Sequence, residues 1–427
     1  MVANPGDKFW DLTGGSREEP KFFYSCGPLE VAERTWFVSV MGGVTAFETD
    51  EGLVMVDAGM RNFAPQMAKE LRKHTSAPVH TVIYTHGHVD HAFGLADFLV
   101  EGQPKPRVIG HRALPARLAR YDRTPGLQRA INARQFGGEV GKPIPAHVMA
   151  DLDMAFRKPD WPPDILYDDQ LTVGVGHLTF ELHHARGETD DHTWVFCPQR
   201  SILCPGDLII WAVPNAGNPQ KVQRYPWDWA HALREMAALQ PSTLCPGHGR
   251  PVIDDAELVQ RILLETAAYL DSIVEQTLAA LEDGSPPHVD IVRSVEPPTT
   301  DSPWLQPVYD EAEFISRNVI RYYGGWYSGR PSELKPASRT AVATEIAQLA
   351  GGATKLANKA QAIAQTGDLR LACHLADYAL EAAPEDLYVK DVVTAIYEQR
   401  AASETSFMAT VLFHSAAAYA SAGQPFS

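Results

Sequence analysis

The stretch Thr85-His86-Gly87-His88-Val89-Asp90-His91 places four potential metal ligands within six consecutive positions. Imidazole nitrogens and carboxylate oxygens suit zinc and neighbouring transition metals. The stretch follows the apolar run Val79-His80-Thr81-Val82-Ile83-Tyr84, whose β-branched and aromatic content reads as a buried strand. The ligands therefore project from the strand's carboxyl end and from the turn into the next helix. His86 and His88 share a face if the chain stays extended for two residues, while Asp90 and His91 leave in another direction. That layout suits two adjacent metals, because one tetrahedral ion would not use all four groups and stay open to substrate. The plainer alternative is a polar loop that happens to hold histidines, and the density and spacing argue against it.

Such a site needs a core to hold it, and 427 residues suffice for two or three domains. A hydrophobic content of 45% and a charged content of 21% are ordinary for a soluble globular chain. Acidic residues outnumber basic ones, 53 to 37, for a formal net charge of −16. That balance argues against nucleic acid or an anionic membrane as partner, since both call for a basic surface. Cys26, Cys197, Cys204, Cys245 and Cys373 are odd in number and widely spaced, so buried free thiols are expected rather than a disulfide framework. The opening Met1-Val2-Ala3-Asn4-Pro5-Gly6-Asp7-Lys8 has no basic patch followed by an apolar stretch, and no run approaches the ~20 apolar residues of a membrane span. The expectation is a soluble cytoplasmic protein.

Residues 1–30 read as an irregular polar extension. Strand-like runs then crowd together at Trp36–Val40, Val44–Glu48 and Leu53–Asp57, separated by Gly and Asp as in a meander. Asp57 opens the turn Asp57-Ala58-Gly59. Phe63 to Lys73 is helical by pattern, and Val108–His111 reads as a short strand. An arginine-rich insert follows, with Arg112, Arg117, Arg120, Arg123, Arg129 and Arg134. Its positive charge reads as a solvated helix face in preference to a lid over an anionic substrate.

The second strand-rich half begins near Leu171. The alternating run Leu178–His183 leads into His183-His184-Ala185-Arg186-Gly187-Glu188-Thr189-Asp190-Asp191-His192. Ser201-Ile202-Leu203-Cys204-Pro205-Gly206-Asp207 and Ser242-Thr243-Leu244-Cys245-Pro246-Gly247-His248 then repeat one pattern: a short apolar strand, a Pro-Gly turn and a possible ligand. The echo fits two strand ends that deliver Asp207 and His248 to one sheet edge. Asp254 to Glu282 is a long helix by periodicity, and 284–307 is Pro-rich and reads as a linker. Beyond Asp310 nearly everything is helical, including one tetratricopeptide-like hairpin from Thr366 to Asp386.

The HxHxDH pattern after a strand resembles the signature of metallo-β-lactamase-fold hydrolases, which are αββα sandwiches of the α/β class with metals at one sheet edge. In that fold an acid at the place of Asp57 braces the histidine loop, and a plain turn aspartate is the equal alternative. Gly187-Glu188-Thr189 stands where the fold usually has Gly-His-Thr, and the alkylsulfatase branch has glutamate there. Tyr322-Tyr323-Gly324-Gly325-Trp326-Tyr327-Ser328-Gly329-Arg330-Pro331 resembles the GWxxGxP element that opens the alkylsulfatase dimerisation domain.

The resemblance implies that His86, His88 and Glu188 hold one metal and that Asp90, His91 and His248 hold a second, with Asp207 bridging or closing the second site. It implies two Zn²⁺, with iron or manganese as alternatives, and a hydroxide between them as nucleophile. Asp90 and His192 are the expected catalytic residues. His192 either donates to developing charge or supports a ligand, and His183 and His184 are expected to be structural. The family's sulfate-binding stretch after the bridging acid is replaced here by Leu208–Tyr225, in which Asn215, Asn218, Lys221 and Arg224 are suited to an anion.

The expected domains are an extension at 1–30, a catalytic domain at 31–260, a helix and Pro-rich linker at 261–310, and an all-α dimerisation domain at 311–427. The expected function is hydrolysis of a small ester by a dinuclear zinc site in a homodimer joined through its C-terminal helices. A carboxylic ester, lactone or thioester is the alternative substrate, and a non-catalytic helical dimerisation scaffold is the alternative class. A diiron redox protein would carry an acid at the place of His88.

Overall fold

The computed structural model describes residues 26–136, 159–285 and 290–424. The extension up to residue 25 and the part of the arginine-rich insert beyond residue 136 lie outside the described residues. Two compact units are present, one holding the described residues up to Gln128 and from Pro159 to Gly325, the other holding 129–136 and 326–424.

In the first unit, seven strands lie side by side in chain order: β1 (Cys26–Ala32), β2 (Thr35–Val40), β3 (Gly42–Thr49), β4 (Gly52–Val56), β5 (Val79–Ile83), β6 (Arg107–His111) and β7 (Ile165–Tyr167). The first four pair antiparallel, and β4 through β7 run parallel. A second sheet has the order β12 (Thr243–Pro246), β11 (Ile202–Gly206), β10 (Thr193–Cys197), β9 (Leu178–His184) and β8 (Gln170–Val175). Its pairs are antiparallel except β11 with β12. Cys26–Glu30 was expected within the irregular extension but forms the edge strand β1. Only Cys26 and Val31 of its seven residues are fully buried, and Gly27-Pro28 mimics a turn, so alternation is weak there.

Strand alternation sorts the side chains into layers. Val54, Val56, Phe37 and Phe47 meet Phe180, Leu182, Val195 and Ile202 between the sheets. Leu53, Met55, Val82 and Val108 face the other way and pack against Met67 and Leu71 of helix Ala64–Leu71 and Leu114 and Leu118 of helix Leu114–Arg123. Trp194, Phe196, Leu203 and Leu244 cover the outer face of the second sheet, under helices Pro226–Ala238, Ala256–Glu282 and Ala312–Gly324. The result is the expected αββα sandwich. Asp255 caps the long helix by accepting from the Leu258 amide.

The Pro-rich stretch expected as a linker is packed instead. Ile291, Val292, Trp304 and Leu305 are buried in the same core as the long helix. Asp290–Ser294 is a short helix and Pro303–Leu305 a 3-10 turn, so the prolines mark breaks in the backbone without excluding burial of the apolar side chains between them.

The second unit stacks helices Arg339–Leu349, Ala353–Gln365, Leu369–Ala382, Leu387–Ala402 and Phe407–Ala422. Its core is built largely of alanines, including Ala357, Ala360, Ala372, Ala376 and Ala379, which allow close helix approach. Ser338, Asp368, Asp386 and Ser406 cap four of these helices with their side-chain oxygens. No helix among the described residues is long and apolar enough to cross a membrane.

Candidate metal centre

Parallel pairing of β4 and β5 brings their carboxyl ends together, with Val56 opposite Ile83. Asp57 and Thr85 therefore meet just past the sheet. Asp57 accepts from the Thr85 amide and hydroxyl, each at 2.7 Å, and from His91 Nδ1 at 2.8 Å. A carboxylate only accepts, so His91 carries a proton on Nδ1 and turns Nε2 toward Asp207 Oδ1, 3.0 Å away. Burial alone would push His91 toward its neutral form; the charges of Asp207, Asp57 and Asp90 outweigh it and raise its pKa well above the usual value.

The second sheet supplies the facing wall. β11 and β12 are parallel neighbours, so the two Pro-Gly turns end side by side and deliver Asp207 and His248. Their approach is so close that a Cβ on Gly247 would lie 2.1 Å from Asp207 Oδ1 and 2.6 Å from the Gly206 carbonyl carbon. Asp207 lies between the two ligand groups: Oδ2 is 3.6 Å from His86 Nε2, whereas Oδ1 is 3.4 Å from His248 Nε2. Burial opposes its charge, but the imidazoles of His91, His248 and His86 hold its carboxyl well below the ordinary range.

His86, His88, Glu188 and Asp207 thus form one cluster of ligand atoms within 4.8 Å of one another, and Asp90, His91 and His248 form another. Asp90 Oδ2 is 3.5 Å from His248 Nε2 and 3.8 Å from His91 Nε2. His248 is held from behind by its Nδ1 on the Met41 carbonyl at 2.7 Å. His91 Nε2, Asp207 Oδ1 and Glu188 Oε2 are all buried, and their close polar neighbours are the other groups of the same two clusters. Buried donor and acceptor atoms that converge on one space with no better-aligned partner fit a site that holds cations.

Glu188 sits in the turn after β9, fully buried. Arg224 Nη1 contacts its Oε1 at 2.8 Å, and the Asn215 amide donates to the same oxygen. Burial still dominates and raises the Glu188 pKa well above the ordinary range, a further sign that a larger positive charge belongs beside it. The loop carrying Asn215 and Arg224 is braced by the helix Ala312–Gly324 and by Asp310, two residues before it. Asp310 accepts from the Gly217 and Asn218 amides at 2.6 and 3.2 Å, and Asn318 Oδ1 accepts from the Arg224 amide at 3.2 Å. Asn218 Oδ1 closes its own turn on the Gln220 amide at 3.2 Å.

Four further residues lie around the centre. Arg117 is buried, with Nη2 2.8 Å from His88 Nε2 and Nε 3.5 Å from Asp191 Oδ1. Asp191 in turn accepts from the Gly87 amide at 2.9 Å, within the histidine loop. The solvated-face reading of the insert holds for Arg112, which pairs with exposed Asp168, and fails for Arg117. Helical periodicity alone does not distinguish an arginine on the buried face that finds carboxylates from one in water. Lys221 is pushed down to about 7 by burial and then by the Arg224 charge, with Glu188 opposing. Tyr309 is buried, and its phenol is raised by burial and by the negative charges of Glu188 and Asp90, so it lies near the site; nothing in its local sequence signalled this.

His192 is fully buried. Its Nε2 faces the Pro205 carbonyl at 2.9 Å and its ring stacks on His86 at 4.8 Å between centroids. Burial pushes its pKa down to about 4, so it is neutral at physiological pH. His183 stacks on Trp194, and His184 stacks on His111, so neither joins a ligand cluster.

Residues 41–248 match the metallo-β-lactamase superfamily model, and residues 288–423 match the alkyl sulfatase dimerisation model. Fold and site together make this chain a metallo-β-lactamase-fold protein. Within that class it is alkylsulfatase-like in both halves. A linear primary-alkylsulfatase of Pseudomonas sp. is 24% identical over 81% of this chain and 67% of its own length. An alkyl/aryl-sulfatase of Saccharomyces cerevisiae is 22% identical over 84% of this chain and 58% of its own. The stereoselective inverting sec-alkylsulfatase Pisa1 from Pseudomonas sp. superposes with a TM-score of 0.81 at 20% identity, covering 94% of this chain and 66% of that one. The chain therefore spans little more than half to two thirds of the length of these relatives.

Proposed function

We propose that this chain is a dinuclear-metal hydrolase of small esters, with zinc as its metal and an alkyl or aryl sulfate ester as its substrate. The observation that carries the reading is the Asp207 carboxylate, whose two oxygens face His86 on one side and His91 with His248 on the other. His86, His88 and Glu188 would hold one cation and Asp90, His91 and His248 the other, joined by Asp207. When bound, such a pair supplies a nucleophile from water at neutral pH and offsets negative charge on the ester.

The remaining roles fall to the chain's own groups. Asp57 fixes the tautomer of His91, and His248 is fixed by the Met41 carbonyl. His192, neutral and stacked on His86, supports that ring. Asn215 and Arg224 orient Glu188 through its Oε1, and Arg224 adds positive charge beside it for an anionic ester. The −16 net charge favours a small substrate over a polynucleotide. The catalytic domain proposed at 31–260 is followed by helices that would join two copies of the chain.

The test is metal analysis of purified protein, then turnover of sulfate, carboxylic and phosphate esters after chelation and zinc readdition, with light scattering for mass. Two metals per chain, sulfate ester turnover restored by zinc, and a dimer mass are expected. One metal with full activity overturns the dinuclear site, and preference for a carboxylic ester overturns the sulfatase assignment.

A further inference from the structure

A pocket of about 190 Å³ opens beside the loop that carries Arg224. Tyr225, Trp227, Tyr322 and Tyr323 wall it, and Val274 and Val319 lie beneath. The rings brace one another edge to face: Tyr225 and Tyr322 are 6.0 Å apart at 80°, and Tyr322 and Tyr323 are 5.1 Å apart at 80°. On its other side, the Tyr225 ring is covered by the Arg186 guanidinium at 4.6 Å. Arg186 also pairs with Asp228 at 2.6 Å, so the one carboxylate on the pocket wall is neutralised. Val274 and Val319 are buried, whereas Trp227, Tyr322 and Tyr323 are 51%, 48% and 54% exposed. Large aromatic surfaces left in water around a concave, apolar floor are unfavourable unless something covers them.

Arg224 stands between the pocket and Glu188. It lines the pocket, and its guanidinium contacts Glu188 Oε1 at 2.8 Å. An ester whose acid group engages the centre therefore has an aromatic recess next to it for its organic group. Size limits what fits, since a closed apolar cavity of roughly 150 Å³ accommodates benzene. A volume of about 190 Å³ takes one ring with a small substituent, or a compact branched chain, and leaves most of a long linear chain in solvent.

We propose that this pocket holds the organic group of the substrate and selects an aromatic or compact branched ester over a long linear one. The inference rests on the ester-hydrolase reading above. Two measurements on zinc-loaded full-length protein separate the two. The first is calorimetric binding of benzenesulfonate and dodecanesulfonate, neither of which can be hydrolysed at the C–S bond as an ester. The second is kcat/KM for phenyl sulfate against dodecyl sulfate.

Wild-type protein is expected to prefer the phenyl member in both. Tyr322→Ala and Tyr323→Ala are each expected to weaken benzenesulfonate binding by about 3- to 10-fold, the loss of one ring contact, with metal content unchanged. They are also expected to collapse the phenyl-to-dodecyl ratio toward one. Wild-type preference for the dodecyl member, or benzenesulfonate binding unaffected by both variants, overturns the proposal. So does a change in oligomeric mass alone, which would make the rings an interface between copies. If benzenesulfonate binds, depends on Tyr322, and yet no sulfate ester turns over, the pocket stands and the hydrolase assignment fails.

Discussion

Asp57→Asn isolates the part of the candidate metal centre that acts only through hydrogen bonds. Asp57 adopts a left-handed backbone with φ of 62°, which asparagine tolerates as well as aspartate does, so the turn should survive. The carboxylate accepts three hydrogen bonds at 2.7–2.8 Å, two from Thr85 and one from His91 Nδ1. Asparagine has one accepting oxygen and one donating NH₂. With its oxygen toward the Thr85 amide, the NH₂ faces His91 and drives the proton onto Nε2, the atom that should bind metal. Flipped over, the NH₂ faces the Thr85 amide, leaving two buried donors opposed at a cost of about 1–3 kcal/mol. Either outcome penalises the metal-binding state of His91.

Loss of such a supporting partner typically costs 10- to 100-fold in metal affinity, about 1.4–2.7 kcal/mol, which agrees with the hydrogen-bond figure. Zinc titration of the metal-free variant against a chromophoric chelator should show one site weakened by that factor and the other nearly unchanged. Circular dichroism should match wild type. Two sites with wild-type affinity would refute the assignment of Asp57 as the residue that sets the His91 tautomer.

Glu188→Ala should lose one of two metals and nearly all turnover, whereas His184→Ala should keep both; two tightly held ions in the Glu188 variant would remove that residue from the ligand set. Gly247→Ala, which puts a methyl group 2.1 Å from Asp207 Oδ1, should lower metal content and destabilise by about 1–3 kcal/mol, while Gly174→Ala, with nothing within 4 Å, should do neither in the same assays. In the helical unit, burial raises Asp377 to about 6 despite the hydrogen bond from Tyr397. A raised carboxyl favours the fold most below pH ~4, and roughly 3 kcal/mol of that is lost as pH rises through 6. Asp377→Asn should flatten this slope and slow amide exchange in helix Leu369–Ala382 at pH 7, and an unchanged slope between pH 4 and 7 would disprove it.

Much of the candidate site was legible because groups able to bind metal on strand-end loops are closely spaced in the chain. His86, His88, Asp90 and His91 lie in one loop, and the repeated Cys-Pro-Gly turns before Asp207 and His248 announced two matching strand ends. Periodicity also predicted the long helix to Glu282 and the alternating strands, since each buries one face of its own element. Tertiary structure alone decided how Asp207 lies between the ligand groups, because that depends on β11 pairing parallel to β12 and on Gly247 allowing the approach. It alone buried Arg117 beside His88 and brought Tyr309 near Glu188, partners separated by 29 and 121 residues. It also folded a Pro-rich stretch into a core and set four rings around a recess next to Arg224. Local sequence records the preferences of a segment for itself; which distant charge, ring or carbonyl completes it depends on how the sheets and helices close over one another.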